Sequence, residues 1–154
     1  MAYEVPRSVV EAFYKVYAVR DVDKIADFLD DDVEWTISGP VDVLSYCGTH
    51  RGKANVIDLI KRRIPLIMRT YSFVPEAILI EGDQLAMLNR QSARRTADGR
   101  AVSYRVANFM RFRGGKVVEN ISLIDTCDAV EQLLGCQLAV GEAARTDVGG
   151  LVAV

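Results

Sequence analysis

Between Asp83 and Asp125 the chain carries three long runs of alternating apolar and polar residues, separated by two short glycine-bearing joints. Gln84–Thr96, Arg100–Arg113 and Lys116–Asp125 are expected to form consecutive strands of one antiparallel sheet. Ala97-Asp98-Gly99 and Gly114-Gly115 are the expected hairpin turns. Strands of this length curl, and a curled sheet needs apolar cover on its hollow side. In the middle strand, alternation puts Val102, Tyr104, Val106, Asn108, Met110 and Phe112 on one face. Asn108 is the only amide among them. It is either a buried structural hydrogen bonder or the polar contact of a ligand site.

The helices come early. Val9, Phe13, Val16 and Tyr17 recur at helical spacing within Ser8–Arg20, with Pro6 suited to the first turn. Asp21 is placed to cap a short second helix, Val22–Leu29, which the acidic triplet Asp30-Asp31-Asp32 is expected to end. Val33–Ile37 alternates as a strand and Ser38-Gly39-Pro40 stops it. Val41–Thr49 is expected to be irregular. Gly52–Arg69 has the stripe of a long helix, with a kink or break near Arg62 because Pro65 removes a helical hydrogen bond. Ser72–Ile80 is a further strand, with Pro75 marking an edge or bulge, and Thr126–Leu134 is a final helix stopped by Gly135. Helices first and strands together describe an α+β fold: a curved antiparallel sheet wrapped on N-terminal helices. Residues 1–136 form the expected domain, and 137–154 a C-terminal tail.

With 154 residues, half of them hydrophobic, one domain with one core is expected. A net charge of −2 argues against a nucleic-acid binder. The N-terminus has no signal-peptide pattern, and no apolar run approaches membrane-spanning length. Cys47, Cys127 and Cys136 have no metal spacing and fit structural thiols of a reducing cytoplasm. Neither a metal nor a cofactor is expected.

The chain resembles the nuclear transport factor two-like superfamily and, within it, the SnoaL-like group. The residues carrying the resemblance are Phe13 and Tyr17 on the first helix, Asp21–Ile25, Phe28–Trp35, and Gly48–Lys53 at the start of the long helix. Phe109–Glu119, Asp125 and Gln132–Gly135 complete the order. The resemblance implies a cone-shaped, cystatin-like/SnoaL-like α+β barrel, an apolar cavity and frequent homodimers. From it we expect a hydrophobic small molecule as ligand and a homodimer formed through the outer sheet face.

The resemblance also implies catalytic positions to compare. Trp35 stands where ketosteroid isomerases carry their carboxylate base, and Phe13 and Asn108 stand where they carry a tyrosine and a protonated aspartate. Ser122 occupies the aspartate position of SnoaL-type cyclases. Asn89 and Gln91 fall where related epoxide hydrolases carry an arginine and an aspartate. Every charged catalytic position that can be aligned is therefore neutral here.

The register of the last hairpin selects the residues around Asn108. A strict two-residue loop sets Asn108 opposite Ile121. A three-residue loop with a glycine bulge sets it opposite Ser122 and brings in Asn120 and Ile124; the family pattern favours this second register. The candidate catalytic residues are then Asn108, polarising a carbonyl, with His50 or Asp125 as proton acceptor. The candidate ligand wall comprises Phe13, Tyr17, Trp35, Met87, Asn89, Gln91, Tyr104, Met110 and Ser122. The plainer reading, which is favoured for both, makes His50 an exposed loop residue and Asp125 a helix cap. Three functions follow: an isomerase, cyclase or dehydratase acting by acid–base help, a non-catalytic binder, or an assembly module.

Overall fold

The structure, a computed structural model, describes residues 3–138. Most of the expected C-terminal tail thus lies outside the described residues. Helix α1 spans Arg7–Ala18 and buries Val10, Phe13 and Tyr17, a stripe at spacings of three and four. Helix α2 is Val22–Asp27, and the Asp21 carboxylate accepts from the Lys24 backbone N–H at 3.3 Å to cap it.

Strand β1 (Leu29–Ser38) begins earlier than its alternation indicates, so the acidic triplet lies in the strand and does not follow a helix end. An irregularity between Leu29 and Glu34 absorbs the mismatch. The triplet stays on the surface, where Asp31 pairs with Lys53 at 2.9 Å and Asp30 with Arg113 at 3.5 Å. A short strand, β2 (Gly48–Arg51), occupies part of the expected irregular stretch.

The expected long helix is three pieces. Helix α3 is Lys53–Asp58, followed by a π-helical turn at Leu59–Arg63 and a 3₁₀ turn at Ile64–Leu66. Pro65 has no N–H to donate and its ring would collide with a helical carbonyl, so the coil widens ahead of it and ends. Strand β3 (Met68–Glu81) then starts four residues before its expected position. Pro75 lies in this edge strand beside a bulge, as expected.

Strands β4 (Gln84–Arg95), β5 (Ala101–Arg113) and β6 (Lys116–Ile124) follow, and helix α4 is Thr126–Leu134. The sheet order is β2-β1-β6-β5-β4-β3. Neighbours are antiparallel except β1 and β6, which run parallel, so the sheet is mixed and not purely antiparallel. It is curved and remains open, with β2 and β3 as its edges.

The core fills the hollow side. The Phe13 ring lies 6.3 Å from Phe112 and 5.7 Å from Phe28, and Tyr17 lies 5.8 Å from Trp35 and 5.2 Å from Phe73. Offset and edge-on contacts of this kind add to the apolar burial.

Candidate functional site

The alternation of β4, β5 and β6 points a second set of residues into the same hollow. Asn89, Gln91, Asn108, Asn120 and Ser122 are all buried. Asn108 is paired with Ser122, the expected register. The cause differs from the expectation: Gly114-Gly115 is a two-residue turn joining Arg113 to Lys116, and the shift occurs at Val118, the extra residue between the pairs Phe112–Val117 and Arg111–Glu119.

Asn108 is the hub. Asn89 Nδ2 donates to Asn108 Oδ1 at 3.0 Å. Asn108 Nδ2 donates to Ser122 Oγ at 2.7 Å and to Asn120 Oδ1 at 3.3 Å. Asn120 Nδ2 also donates to Ser122 Oγ, at 2.9 Å. The Ser122 oxygen therefore accepts twice, which turns its own O–H proton outward as a donor. Asn89 Oδ1 is fully buried with no hydrogen-bond partner.

A second polar group lies where β3, β4 and β5 meet. Gln91 Nε2 donates to Thr70 Oγ1 at 3.1 Å and weakly to Tyr104 Oη at 3.5 Å. Tyr104 Oη donates to the Met68 sulfur at 3.1 Å. Burial pushes the Tyr104 phenol up to about 12, while the neighbouring Tyr46 hydroxyl and then the Arg20 charge pull it down. The Tyr46 phenol is raised further, by burial first and then by Tyr104. Its buried hydroxyl neighbours Tyr104 without completing a hydrogen bond.

His50 is not an exposed loop residue. It lies buried on β2 opposite Trp35. Arg63 Nη1 donates to its Nδ1 at 3.2 Å, which leaves Nε2–H to donate to the Tyr46 carbonyl at 3.0 Å. Both ring nitrogens are thus engaged. Asp125 is exposed at the N-terminus of α4, away from the cluster, and its side chain makes no capping bond.

The expected wall residues Phe13, Tyr17, Trp35, Met87, Tyr104 and Met110 are brought together and buried. They pack the hollow, and the surface clefts at α4, at the Asp30–Arg113 edge, on the outer sheet face and beside α1 lie elsewhere. Tyr46, which the sequence offers with Tyr104 as a phenol facing the cavity or a core or rim aromatic, is buried in this wall although its segment has no periodicity. Among the described residues, no group of three or more His, Cys, Asp or Glu could hold a metal ion, and no helix is long and apolar enough to cross a membrane.

A curved open sheet with helices laid in its hollow, and polar side chains at the centre of that hollow, defines the nuclear transport factor two-like class of α+β folds. Within it, this chain belongs to the SnoaL-like family: the SnoaL-like domain matches residues 10–120. A provisionally named isomerase from Rhodopseudomonas palustris is 31% identical, with 82% of this chain and 93% of that one covered at a TM-score of 0.71. An NTF2-like protein of unknown function from Burkholderia pseudomallei is 21% identical, covering 86% of this chain and 96% of its own, with a TM-score of 0.72. A protein with a ketosteroid isomerase-like fold from Catenulispora acidiphila, solved with trimethylamine, is 11% identical; 86% and 95% of the two chains are covered at a TM-score of 0.69. No curated protein matches the chain.

Proposed function

We propose that this protein binds a hydrophobic small molecule bearing a carbonyl or hydroxyl group in the hollow of its sheet. The Asn89–Asn108–Asn120–Ser122 cluster would recognise that oxygen. The observation that carries this reading is Asn89 Oδ1, a buried acceptor without a donor. Leaving such an atom unpaired costs about 1–3 kcal/mol, a cost that a ligand hydroxyl or a water bridging to a ligand carbonyl removes. The cluster also has donors to spare: the Ser122 O–H and the second N–H of both Asn89 and Asn120. Entry would run past Pro40–Cys47, a turn-rich segment fastened by Arg63 through Ser45 O at 3.1 Å.

Binding is favoured over proton-transfer chemistry because the buried polar residues among those described include no carboxylate. A second reading, an isomerase, cyclase or dehydratase using acid–base help, rests on His50. Its ring is buried against the Trp35 strand and becomes a base once Arg63 withdraws. Calorimetric titration with 2-naphthol and 2-acetylnaphthalene tests the binding reading. Both are expected to bind, and Asn108→Ala is expected to weaken both by about tenfold or more; no binding by either at solubility would refute it.

We also propose that the protein is a cytoplasmic homodimer. Leu79, Ala86, Phe109 and Ile121 form one register row across β3 to β6 on the convex face. Three of them are large exposed apolar side chains. Sedimentation equilibrium, with Phe109→Lys as the disrupting variant, tests the assembly.

A further inference from the structure

Strand β5 outruns its neighbour. Its last pair with β6 is Val106–Ile124, so the edge from Tyr104 back to Ala101 faces α4 and not a strand. An open edge leaves backbone N–H and C=O groups to be satisfied. Helix α4 satisfies those of one residue with a single side chain. Ser103 N–H donates to Gln132 Oε1 at 2.7 Å, and Gln132 Nε2 donates to Ser103 O at 2.8 Å. The same Nε2 donates to Asp128 Oδ1 at 2.7 Å, which fixes the amide in place.

The next step along that edge has no such stand-in. In an antiparallel strand, alternate residues turn their N–H and C=O to the same side. Ser103 turns its pair toward α4, and Arg105 does likewise, its C=O accepting from Asp125 N–H at 3.1 Å. Arg100 turns the other way, its C=O accepting from Arg95 N–H at 2.9 Å. Ala101 therefore turns both groups toward α4, where no strand among the described residues pairs with it. It lines a cleft of about 320 Å³ between the β5 edge and α4, with Val102, Gly135 and Gln137 in the wall and Arg100, Asp128 and Glu131 supplying charge.

The described residues end at this cleft. Gly135, at a φ of 76°, turns the chain back from α4, and Leu138 N–H donates to Glu131 Oε1 at 3.0 Å. We propose that Leu151-Val152-Ala153-Val154 of this same chain docks there as a short added strand, bonding the Ala101 N–H and C=O and filling the cleft with its side chains. Apolar, β-branched residues suit a half-buried strand. Residues 139–150 span up to about 40 Å when extended, ample to return to a cleft that Gln137 already lines. None of the ion pairs among the described residues includes Arg100, and the intervening Glu142 and Asp147 carry the complementary charge. The inference is independent of any ligand in the hollow.

Amide hydrogen exchange on the full chain, read residue by residue by NMR, tests it. The Ala101 amide is expected to exchange about tenfold or more slowly than an unbonded surface amide. Leu151→Asp combined with Val152→Asp puts two charges into the docking segment and is expected to return Ala101 to the surface rate. The Ser103 amide, held by Gln132, is expected to stay within about twofold in the same variant. An Ala101 amide that exchanges at the surface rate in the parent, or keeps its protection in the variant, overturns the inference. Protection that rises with protein concentration also overturns it, because the strand would then come from a second copy.

Discussion

Asn108 Nδ2 donates to Ser122 Oγ across 2.7 Å, and the two residues face each other because Val118 is one residue too many in β6. A hairpin with a two-residue turn and no bulge would put Asn108 opposite Ile121. Deleting Val118 lets Glu119 follow Val117 directly and keeps every later pair, so this variant is expected to fold with the cluster intact. Deleting Ile121 instead turns Glu119 inward and is expected to give an aggregated or unfolded product. Circular dichroism and gel filtration of the two deletions compare them; a folded Ile121 deletion would refute the register argument.

The cluster also carries stability. Asn108→Ala removes the acceptor of Asn89 and donors to Ser122 and Asn120 at once. The orphaned buried groups are expected to cost roughly 2–3 kcal/mol in urea unfolding. Asn108→Ala combined with Asn89→Ala is expected to cost less than the sum of the single changes, since the pair shares one bond.

Cys47 differs from its two relatives. It is buried, and burial pushes its thiol up to about 11, whereas Cys127 and Cys136 are exposed. At pH 8 only about one Cys47 in a thousand is then a thiolate, the reactive form. Ellman's reagent is expected to label Cys127 and Cys136 quickly and Cys47 slowly. Arg63→Ala, which frees Ser45 and His50, is expected to speed Cys47 labelling by loosening Pro40–Cys47. Equal rates in the two proteins would show that Arg63 does not fasten the segment.

Asp98 gives the β4–β5 hairpin an acid sensitivity. The Arg100 backbone N–H bond, with help from Arg95, holds its carboxyl below the ordinary range. A depressed carboxyl stabilises the fold above the unfolded value of about 3.9, and the contribution is lost as pH falls through the folded value. Asp98→Asn is therefore expected to lower the urea midpoint at pH 7, and the gap from the parent should close as the pH is taken below the usual carboxyl range. A gap independent of pH would refute the assignment.

Much of the fold was legible because it is local. Alternation over Gln84–Arg95, Ala101–Arg113 and Lys116–Ile124 reports two-residue periodicity, and the stripe of α1 reports the turn of a helix. Alternation could likewise put Asn89 with Gln91 on one face of β4 and Asn108 on the inner face of β5, whereas Ser122 joined them only through the register that the family pattern favoured. The unwinding at Leu59–Arg63 was legible only as a break, since Pro65 forbids a helical bond without choosing what replaces it.

By itself, then, the sequence determined the long strands, the early helices and the alternating faces that carry Asn89, Gln91 and Asn108, all consequences of spacing along the backbone. Tertiary structure decided that β1 lies parallel beside β6 and that His50 is buried with both nitrogens taken. It also decided that Val118 absorbs the register and that Arg20 folds over Tyr17 and Phe73. Those outcomes depend on which distant segments meet and on which polar groups lose water there, and neither quantity has a period in the chain.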